Sequence, residues 1–239
     1  MDFLKLFSEP FAATLERGIV ESANDNRRVA AFDADGTLWD KDLGEAFMRW
    51  LIAMKKFKDV DYYTDIYADY EARVDEDRTA AYGFAVQLMQ GLEVAEVKRW
   101  SAALADAWPN YRPRMTALVE GLRGLGFETW IISASNHWTI GEAAPYAGIP
   151  VDCCHGIQTE VHLKHITDRL VMPVTCNQGK VEAIEKYIGL KPIFAFGDSL
   201  GDYEMLQYAK YGLGVEQYGS VKESFRKAAA EHGWPMEVF

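Results

Sequence analysis

The chain has 239 residues, of which 49% are hydrophobic and 26% are charged, as in ordinary soluble globular proteins. Its net charge of −11, from 25 Lys and Arg against 36 Asp and Glu, argues against a nucleic-acid-binding surface, which would be basic. No apolar run approaches the ~20 residues of a membrane span, the N-terminal residues make a poor signal peptide, and three cysteines are too few for a disulfide framework. We therefore expect a cytoplasmic protein without nucleic-acid or membrane partners, and the sequence carries no signal for an oligomeric state.

The first predicted elements are a helix over about 10–23 and a buried strand over 29–33. The strand runs into the stretch DADGTLWD, whose paired carboxylates could open a calcium loop or an active site. An EF-hand loop starting at Asp33 would need glycine at its sixth position and glutamate at its twelfth. These positions hold Leu38 and Gly44, so the spacing excludes an EF-hand and leaves an acidic turn or an active-site loop.

The next segment, 42–108, contains no clear strand. Its apolar residues recur at three- and four-residue spacing, which predicts several helices in succession. We therefore predict that 41–109 is a helical cap domain, inserted into an α/β core domain formed by 1–40 and 110–239.

Strands and helices alternate through the remainder of the chain. Helices are predicted over 112–124, 138–147, 179–188, 202–209 and 220–232, strands over 127–133, 151–155, 193–196 and 211–215, and a hairpin within 157–175. This alternation predicts an α/β fold with a doubly wound, Rossmann-like parallel sheet and helices on both faces. In such a sheet, ligands bind outside the carboxyl ends of the strands.

Chemically capable side chains stand at those ends and before the helix predicted from 179. They are Asp33, Asp35, Ser133, Lys180, Asp198 and Asp202. Carboxylates from two strand ends would repel each other unless a cation lay between them, and carboxylate and carbonyl oxygens suit Mg²⁺. A lysine and a hydroxyl beside such a metal would bind a phosphoryl group. The sequence therefore predicts Mg²⁺ as cofactor and a small phosphorylated metabolite as partner.

The spacing of the first two aspartates suits phosphoryl transfer. The carboxylate of Asp33 can attack phosphorus and form an aspartyl-phosphate, and Asp35 can then protonate the leaving alkoxide and later activate water. Because side chains two residues apart at a strand end lie on the same side, both can reach one substrate. Gly36 permits the turn that follows.

Four motifs, in order over about residues 29–205, resemble those of the haloacid dehalogenase superfamily of phosphohydrolases. They are Asp33-Ala-Asp35-Gly-Thr37-Leu, Ser133 at the end of an apolar strand, Lys180, and Gly-Asp198-Ser-Leu-Gly-Asp202. The cap after the first strand looks like the family's C1 type. The stretch 151–180 is most similar to the phosphoserine-phosphatase-like branch.

The resemblance implies catalytic and metal-binding roles. Asp33 would be the nucleophile and Asp35 the general acid/base. Mg²⁺ would be bound by Asp33, the backbone carbonyl of Asp35, and Asp198, with Asp202 as a second ligand or as support. The implied function is a Mg²⁺-dependent phosphatase acting through an aspartyl-phosphate.

The resemblance also implies a set of residues around the substrate. Ser133 and Lys180 would hold the phosphoryl group, and Thr37 would help shape the loop. Asp42 and Ala134 complete this set of expected substrate-binding residues.

Departures from phosphoserine phosphatases bear on the substrate. Those enzymes usually carry Glu where this chain has Asp42, Asn where it has Gly201, and a cap Arg near the position of Ala85. These changes argue against phosphoserine itself, whereas the retained Asp35 argues against a dehalogenase, which has no alkoxide to protonate.

The predicted cap is rich in aromatic residues, and Trp39 stands directly behind the nucleophile loop. The cap aromatics are Trp50, Phe57, Tyr62, Tyr63, Tyr67, Tyr70, Tyr82 and Phe84. Because aromatic faces with a carboxylate can hold a cationic group, Trp39, Asp42 and the tyrosines favour a phosphorylated amino alcohol or amino acid, such as phosphocholine, phosphoethanolamine or a phosphoserine-like ester. The alternative is that most of these rings pack the cap core.

Two alternative functions and one alternative metal site remain. The functions are a phosphotransferase using the same aspartyl-phosphate and a non-catalytic binding protein on this fold. The metal site would be a zinc cluster, although it contains no Cys-x-x-Cys pair and buried apolar cysteines explain VDCCHG. Its residues would be Cys153, Cys154, His155, His162 and His165.

Overall fold

The computed structural model describes residues 1–220 and 222–239. Its strands are β1 (Val29–Phe32), β2 (Glu128–Asn136), β3 (Cys154–Ile157), β4 (Thr159–His162), β5 (His165–Leu170), β6 (Phe194–Gly197), β7 (Tyr211–Glu216) and β8 (Met236–Val238). Its α-helices are α1 (Glu9–Glu21), α2 (Leu43–Ala53), α3 (Ile66–Glu76), α4 (Arg78–Gln87), α5 (Val94–Asp106), α6 (Pro113–Gly124), α7 (His137–Ala143), α8 (Gln178–Ala183), α9 (Tyr203–Tyr208) and α10 (Glu223–His232).

Six strands form one parallel sheet in the order β3-β2-β1-β6-β7-β8. The apolar run VAAF makes β1 a central strand that is buried on both faces. Ala30 and Phe32 pack on one face in a cluster with Leu15 of α1, whereas Ala31 packs on the other with Met205 of α9. Helices therefore cover both faces, and the predicted α/β, Rossmann-like sheet is confirmed.

The second half of the chain differs from the sequence prediction at three places. Residues 151–153 form a short 3-10 helix after Pro150, so that β3 begins at Cys154 rather than at 151. A sixth strand, β8, pairs with β7 and was not predicted. The predicted helix 220–232 appears as α10 from Glu223, and residue 221 lies outside the described residues.

Helices α2 to α5 lie between β1 and β2 in the chain and contribute no strand to the sheet. The outgoing and returning segments run side by side, because Asp40 N donates to Asn110 O at 2.9 Å and Arg112 N donates to Leu38 O at 3.2 Å. The chain thus leaves and re-enters the sheet-bearing part of the molecule at one place, and the division into a core domain and a cap domain stays a prediction. Among the described residues, no helix combines the length and apolarity needed to cross a membrane.

The predicted hairpin is present as antiparallel β4 and β5. It packs on the helical insert, because Ile166 N donates to Leu92 O at 2.9 Å and Gly91 N donates to Ile166 O at 2.8 Å. The side chain of Ile166 is buried in one apolar cluster with Met48, Val86 and other residues of the insert. The hairpin therefore packs directly against the helical insert.

Candidate active site

The loop after β1 places two carboxylates above the central strands. Asp33 N donates to Phe196 O at 2.8 Å, which ties the end of β1 to the end of β6. Gly36 has a φ of +83°, and its N–H donates to Trp39 O at 2.8 Å. This left-handed turn, which glycine adopts without strain, folds the chain back while Asp33 stays buried at 6% exposure.

A buried lysine neutralises part of this site. Lys180, on the first turn of α8, is 2% exposed, and its Nζ lies 2.6 Å from Asp33 Oδ1 and 2.5 Å from Asp202 Oδ1. Burial lowers the pKa of Lys180, but the charges of Asp202 and Asp33 outweigh it and raise the pKa above its usual range. Lys180 therefore stays protonated beside the carboxylates.

Asp35 is held by three donors. Trp39 Nε1 and Leu43 N each donate to its Oδ1 at 2.7 Å, and Ser135 Oγ donates to its Oδ2 at 2.6 Å. Burial nevertheless raises the pKa of Asp35, although these hydrogen bonds act to lower it. A carboxyl group with a raised pKa and a fixed orientation is suited to proton transfer.

The loop after β6 carries two more aspartates in different situations. Asp202 Oδ2 accepts from Asp198 N and Ser199 N, each at 3.1 Å, while Lys180 occupies its Oδ1, so that both of its oxygens have protein donors. Asp198 is paired with Lys222, and burial, followed by the charge of Asp202, raises the pKa of Asp198 to about 6. Asp202 thus shapes the loop that presents Asp198.

Three carboxylates meet closely enough to share a cation. Oxygens of Asp33, Asp198 and Asp202 all lie within 4.8 Å of one another. Lys180 compensates only part of their charge, and an all-oxygen donor set of this size suits Mg²⁺. The residues present therefore fit a magnesium ion, with Asp33 and Asp198 better placed to bind it than the fully hydrogen-bonded Asp202.

The expected substrate-binding residues differ in their positions. Ser133 and Ala134, on β2, line a cavity above the carboxylates together with Asp42 and Lys180. Thr37 does not line that cavity; it is fully buried beneath the loop, where its Oγ1 lies 3.4 Å from Asp33 Oδ2. This placement fits the loop-shaping role of Thr37 and not a contact with substrate.

The model of the family of haloacid dehalogenase-like hydrolases matches residues 30–207, most of the chain. The chain belongs to this family. The family membership predicted from the four motifs is confirmed. Protein CicA of Caulobacter vibrioides is 31% identical to this family member over 193 residues, which cover 76% of this chain and 82% of that protein.

Solved structures share the fold of this hydrolase-family member. A protein of unknown function from Bordetella pertussis Tohama I superposes with a TM-score of 0.74 at 19% identity, covering 88% of this chain and 97% of that one. A phosphoserine phosphohydrolase-like protein from Francisella tularensis subsp. tularensis SCHU S4 superposes with a TM-score of 0.56 at 16% identity, covering 87% and 94%. The fold is therefore that of the phosphoserine-phosphatase-like branch.

The cavity of this haloacid dehalogenase-like hydrolase has a volume of about 660 Å³ and extends from the carboxylates into the helical insert. Of the aromatic residues considered for a cationic cage, Phe57, Tyr70 and Tyr82 line it. Trp39 does not, because its side chain is fully buried in the core and its indole N–H is bound to Asp35. The expectation that Trp39 contacts substrate is therefore wrong, and its role is to orient Asp35.

Two functional candidates lie outside the four motifs of this family member. Ser135 belongs to none of the four motifs, yet it holds Asp35. Arg78, the first residue of α4, lines the cavity and has no ion-pair or hydrogen-bond partner in the part of the chain that the structure describes. Nothing in the local pattern of α4 distinguishes this arginine from a surface residue.

The alternative zinc cluster does not form. Within residues 1–220 and 222–239, the three aspartates are the only group of His, Cys, Asp or Glu side chains close enough to hold a metal. His162 and His165 are exposed on the hairpin, whereas Cys154 is buried in β3. Cys154 therefore belongs to the sheet, in agreement with the alternative that the cysteines of VDCCHG are buried apolar residues.

Proposed function

We propose that the chain is a Mg²⁺-dependent phosphatase that hydrolyses a small phosphomonoester through an aspartyl-phosphate on Asp33. The observation that carries the proposal is the pairing of two unlike carboxyl groups in one loop. Asp33 is a buried carboxylate with one oxygen bound to Lys180 at 2.6 Å, and Asp35 is held by three donors. Asp33 is arranged to attack phosphorus, and Asp35 is arranged to transfer a proton.

The first half-reaction follows from which oxygens are free. Asp33 Oδ1 is occupied by Lys180, whereas Oδ2 has only the distant Thr37 hydroxyl at 3.4 Å. Oδ2 would attack phosphorus, the bond from phosphorus to the leaving oxygen would break, and Asp35 would give its proton to that oxygen. Ser133 and Lys180 would hold the phosphoryl oxygens meanwhile.

The second half-reaction restores the site. Asp35, now ionised, would take a proton from water, whose oxygen attacks phosphorus and releases the carboxylate of Asp33. Asp33, the backbone carbonyl of Asp35, and Asp198 would hold the Mg²⁺, with Asp202 as support. Bound there, the ion would offset the negative charge of the carboxylates and the phosphoryl group.

The substrate would be a small phosphorylated metabolite. The cavity holds Tyr70, Tyr82 and Asp42, which keeps phosphorylated amino alcohols and amino acids among the substrates to be tested. A cytoplasmic location is supported by the three unpaired cysteines.

The test is phosphate release from a panel of phosphomonoesters, with and without Mg²⁺, for the wild type and for Asp33→Asn. We expect release that depends on Mg²⁺ and is lost in Asp33→Asn, because an amide cannot attack phosphorus. The exposed Asp152→Asn serves as a matched control and should keep wild-type rates. Release that persists in Asp33→Asn would refute the proposed nucleophile.

The same assay separates the alternative functions. With an added alcohol, a phosphotransferase would form a new phosphate ester at the expense of free phosphate, whereas a phosphatase would release free phosphate unchanged. A binding protein would retain a phosphate ester and never release phosphate, and that result would overturn the proposal.

A further inference from the structure

The cavity above the carboxylates is larger than the phosphoryl site needs. Its volume of about 660 Å³ lies within the range of ~300–1,000 Å³ found for pockets that hold drug-sized ligands. The carboxylates, Lys180 and Ser133 occupy only its core end. One part of the remainder lies against the segment that follows β7, where Glu216, Gln217 and Lys222 line it, and another part extends into the helical insert. A leaving group directed into the insert has to match what lines the cavity there.

Two helices supply this part of the lining, each through one face. On α2 the lining residues are Glu45, Phe47, Met48 and Leu51, and on and just after α4 they are Arg78, Tyr82, Ala85, Val86 and Met89. The spacing of three and four residues marks a single stripe on each helix. Both stripes line the same cavity.

Each stripe begins near the core domain. Leu43, the first residue of α2, donates its N–H to Asp35. Thr79, in the first turn of α4, accepts a hydrogen bond from Asn177 at 3.4 Å, and Asn177 precedes the helix that carries Lys180. With a rise of ~1.5 Å per residue, Leu51 lies about 12 Å farther along the helix than Leu43.

The lining changes from charged to apolar along both stripes. Glu45 and Arg78 stand near the core end, and no charged residue lines the cavity from either helix beyond them in the described chain. The far end is formed by side chains that are at most 6% exposed, namely Phe47, Met48, Leu51, Phe57, Val86 and Met89. Ala85, near which the resemblance places an arginine, presents only a methyl group to the cavity.

The carboxylate that the α2 stripe presents to the cavity is already satisfied. Glu45 Oε1 accepts from Arg49 at 2.8 Å and from the Tyr67 hydroxyl at 2.6 Å. An ammonium group at the far end would lose its water without gaining a partner there. An apolar group would be favoured at the same place, because each buried methylene contributes ~0.8 kcal/mol.

We propose that the substrate is the phosphomonoester of an alcohol with an uncharged, apolar body, which lies between α2 and α4 while the phosphoryl group lies on Asp33. This inference rests on the proposed phosphatase function and adds the class of leaving group to it. Arg78 and Tyr82 line the cavity between the part that would hold the phosphoryl group and the part that would hold the apolar body.

The test compares ethyl, butyl and hexyl phosphate with phosphocholine, phosphoethanolamine and phosphoserine as substrates of the wild type. We expect kcat/KM to rise about fourfold per methylene, or about 200-fold from ethyl to hexyl phosphate. Hexyl phosphate should also exceed all three charged esters. A flat chain-length series, or a charged ester as the best substrate, would overturn the inference and leave the phosphatase function standing.

A variant pair locates the effect. Ala85→Phe places a ring in the cavity and should lower the ratio of kcat/KM for hexyl to ethyl phosphate at least tenfold, since the far end is then filled. Ala72→Phe, on the exposed side of α3, should leave the ratio unchanged. An unchanged ratio in Ala85→Phe would overturn the placement of the apolar body.

A binding measurement separates this inference from the catalytic proposal. Calorimetric titration of the wild type with ethylphosphonate and hexylphosphonate should show tighter binding of the longer chain, by about fourfold per methylene, with a negative heat-capacity change. Equal affinities would refute the apolar site even if phosphate esters are hydrolysed. Tighter binding of hexylphosphonate without hydrolysis of any ester would uphold the site and refute the phosphatase.

Discussion

At the scale of single residues, Gly36 allows the loop after β1 to lie close to the carboxylate of Asp198. Its φ of +83° is one that side-chain-bearing residues rarely adopt, and a Cβ there would collide with the carboxylate of Asp198. The loop after β1 and the loop after β6 can approach each other only because this position has no side chain. The carboxylate cluster therefore depends on a residue that contributes no functional group.

Gly36→Ala should consequently impair both stability and activity. The left-handed conformation costs a residue other than glycine ~1–2 kcal/mol, and Asp198 has to move away from the new methyl group. Displacement by about 1 Å can lower a rate ~100-fold. We expect a lower midpoint of thermal unfolding, and phosphate release reduced by a comparable factor.

Gly124→Ala is the matched control for this prediction. Gly124 ends α6, and no atom outside its own helix lies within 4 Å of the place that a methyl group would take there. Alanine is favoured over glycine in a helix by up to ~1 kcal/mol, so this variant should be as stable as the wild type or more so. Equal behaviour of the two alanine variants would contradict the role given to Gly36.

At the scale of elements, the hairpin links the core domain to the helical insert. Val161 and Ile166 are opposite each other in its register, yet Ile166 is 2% exposed and packs on the insert, whereas Val161 is 50% exposed. The two residues therefore share a backbone environment and differ in what their side chains contact. They offer a direct measure of how strongly the hairpin supports the insert.

Ile166→Ala should lower the free energy of unfolding by ~2–4 kcal/mol, because a buried aliphatic side chain is truncated and a cavity is left. Val161→Ala should change it by less than ~0.5 kcal/mol, as expected for an exposed side chain. Urea unfolding of both variants measures these values. Similar losses in the two would show that the hairpin does not bury its inner face against the insert.

At the scale of the whole molecule, a half-buried histidine should contribute to the dependence of stability on pH. His155, on β3, stacks on Tyr187 with ring centroids 3.9 Å apart and lies near Trp130. Burial, followed by the proximity of His137, lowers the pKa of His155 to about 4. The neutral ring therefore belongs to the folded state.

The sign of the effect follows from proton binding. At His155 the unfolded chain, in which histidine has a pKa of ~6.5, binds more protons than the folded chain between that value and about 4. The contribution of this histidine to the free energy of unfolding should therefore fall as the pH is lowered through this window, by on the order of 2 kcal/mol, whereas the raised pKa of Asp198 acts in the opposite direction. Chemical unfolding at a series of pH values measures the slope.

His155→Phe should remove this contribution, because phenylalanine keeps the stacked ring and cannot be protonated, so that acidification from pH ~6.5 to ~4 should destabilise the variant less than the wild type. The exposed His162→Phe is the control and should leave the slope as in the wild type. His137 contributes in the same direction as His155, since burial also lowers its pKa. A slope in His155→Phe equal to that of the wild type would rule out the contribution of His155.

Much of the fold could be predicted because its causes are local. The apolar run VAAF forms β1, and Pro113 starts α6 within one residue of its predicted position, since proline suits the first turn of a helix. The strand β8 escaped prediction because three residues carry no periodicity and pair only once β7 lies beside them. Likewise, Val151 and Cys153 are apolar, as the residues of a buried strand would be, but they form a 3-10 helix before β3.

The residues of the candidate site likewise divide into those whose position could be predicted from the sequence and those whose position depends on tertiary packing. Asp33, Asp35 and Asp198 could be predicted because parallel strands end at one edge of the sheet, so that sequence position alone brings their loops together. The burial of Thr37 and Trp39 and the approach of Arg78 depend on how the loop packs and on which face of α4 turns to the core. Those are contacts between distant segments, with no local pattern to mark them.

The sequence by itself determined the family, the parallel sheet and the carboxylates, since hydrophobic period and motif order act along neighbouring residues. Tertiary structure alone decided that the hairpin supports the insert and that the cavity changes from charged to apolar along α2 and α4. A helix has a lining face only when a second helix stands opposite it. Which leaving group fits the cavity therefore depends on how α2 and α4 pack together.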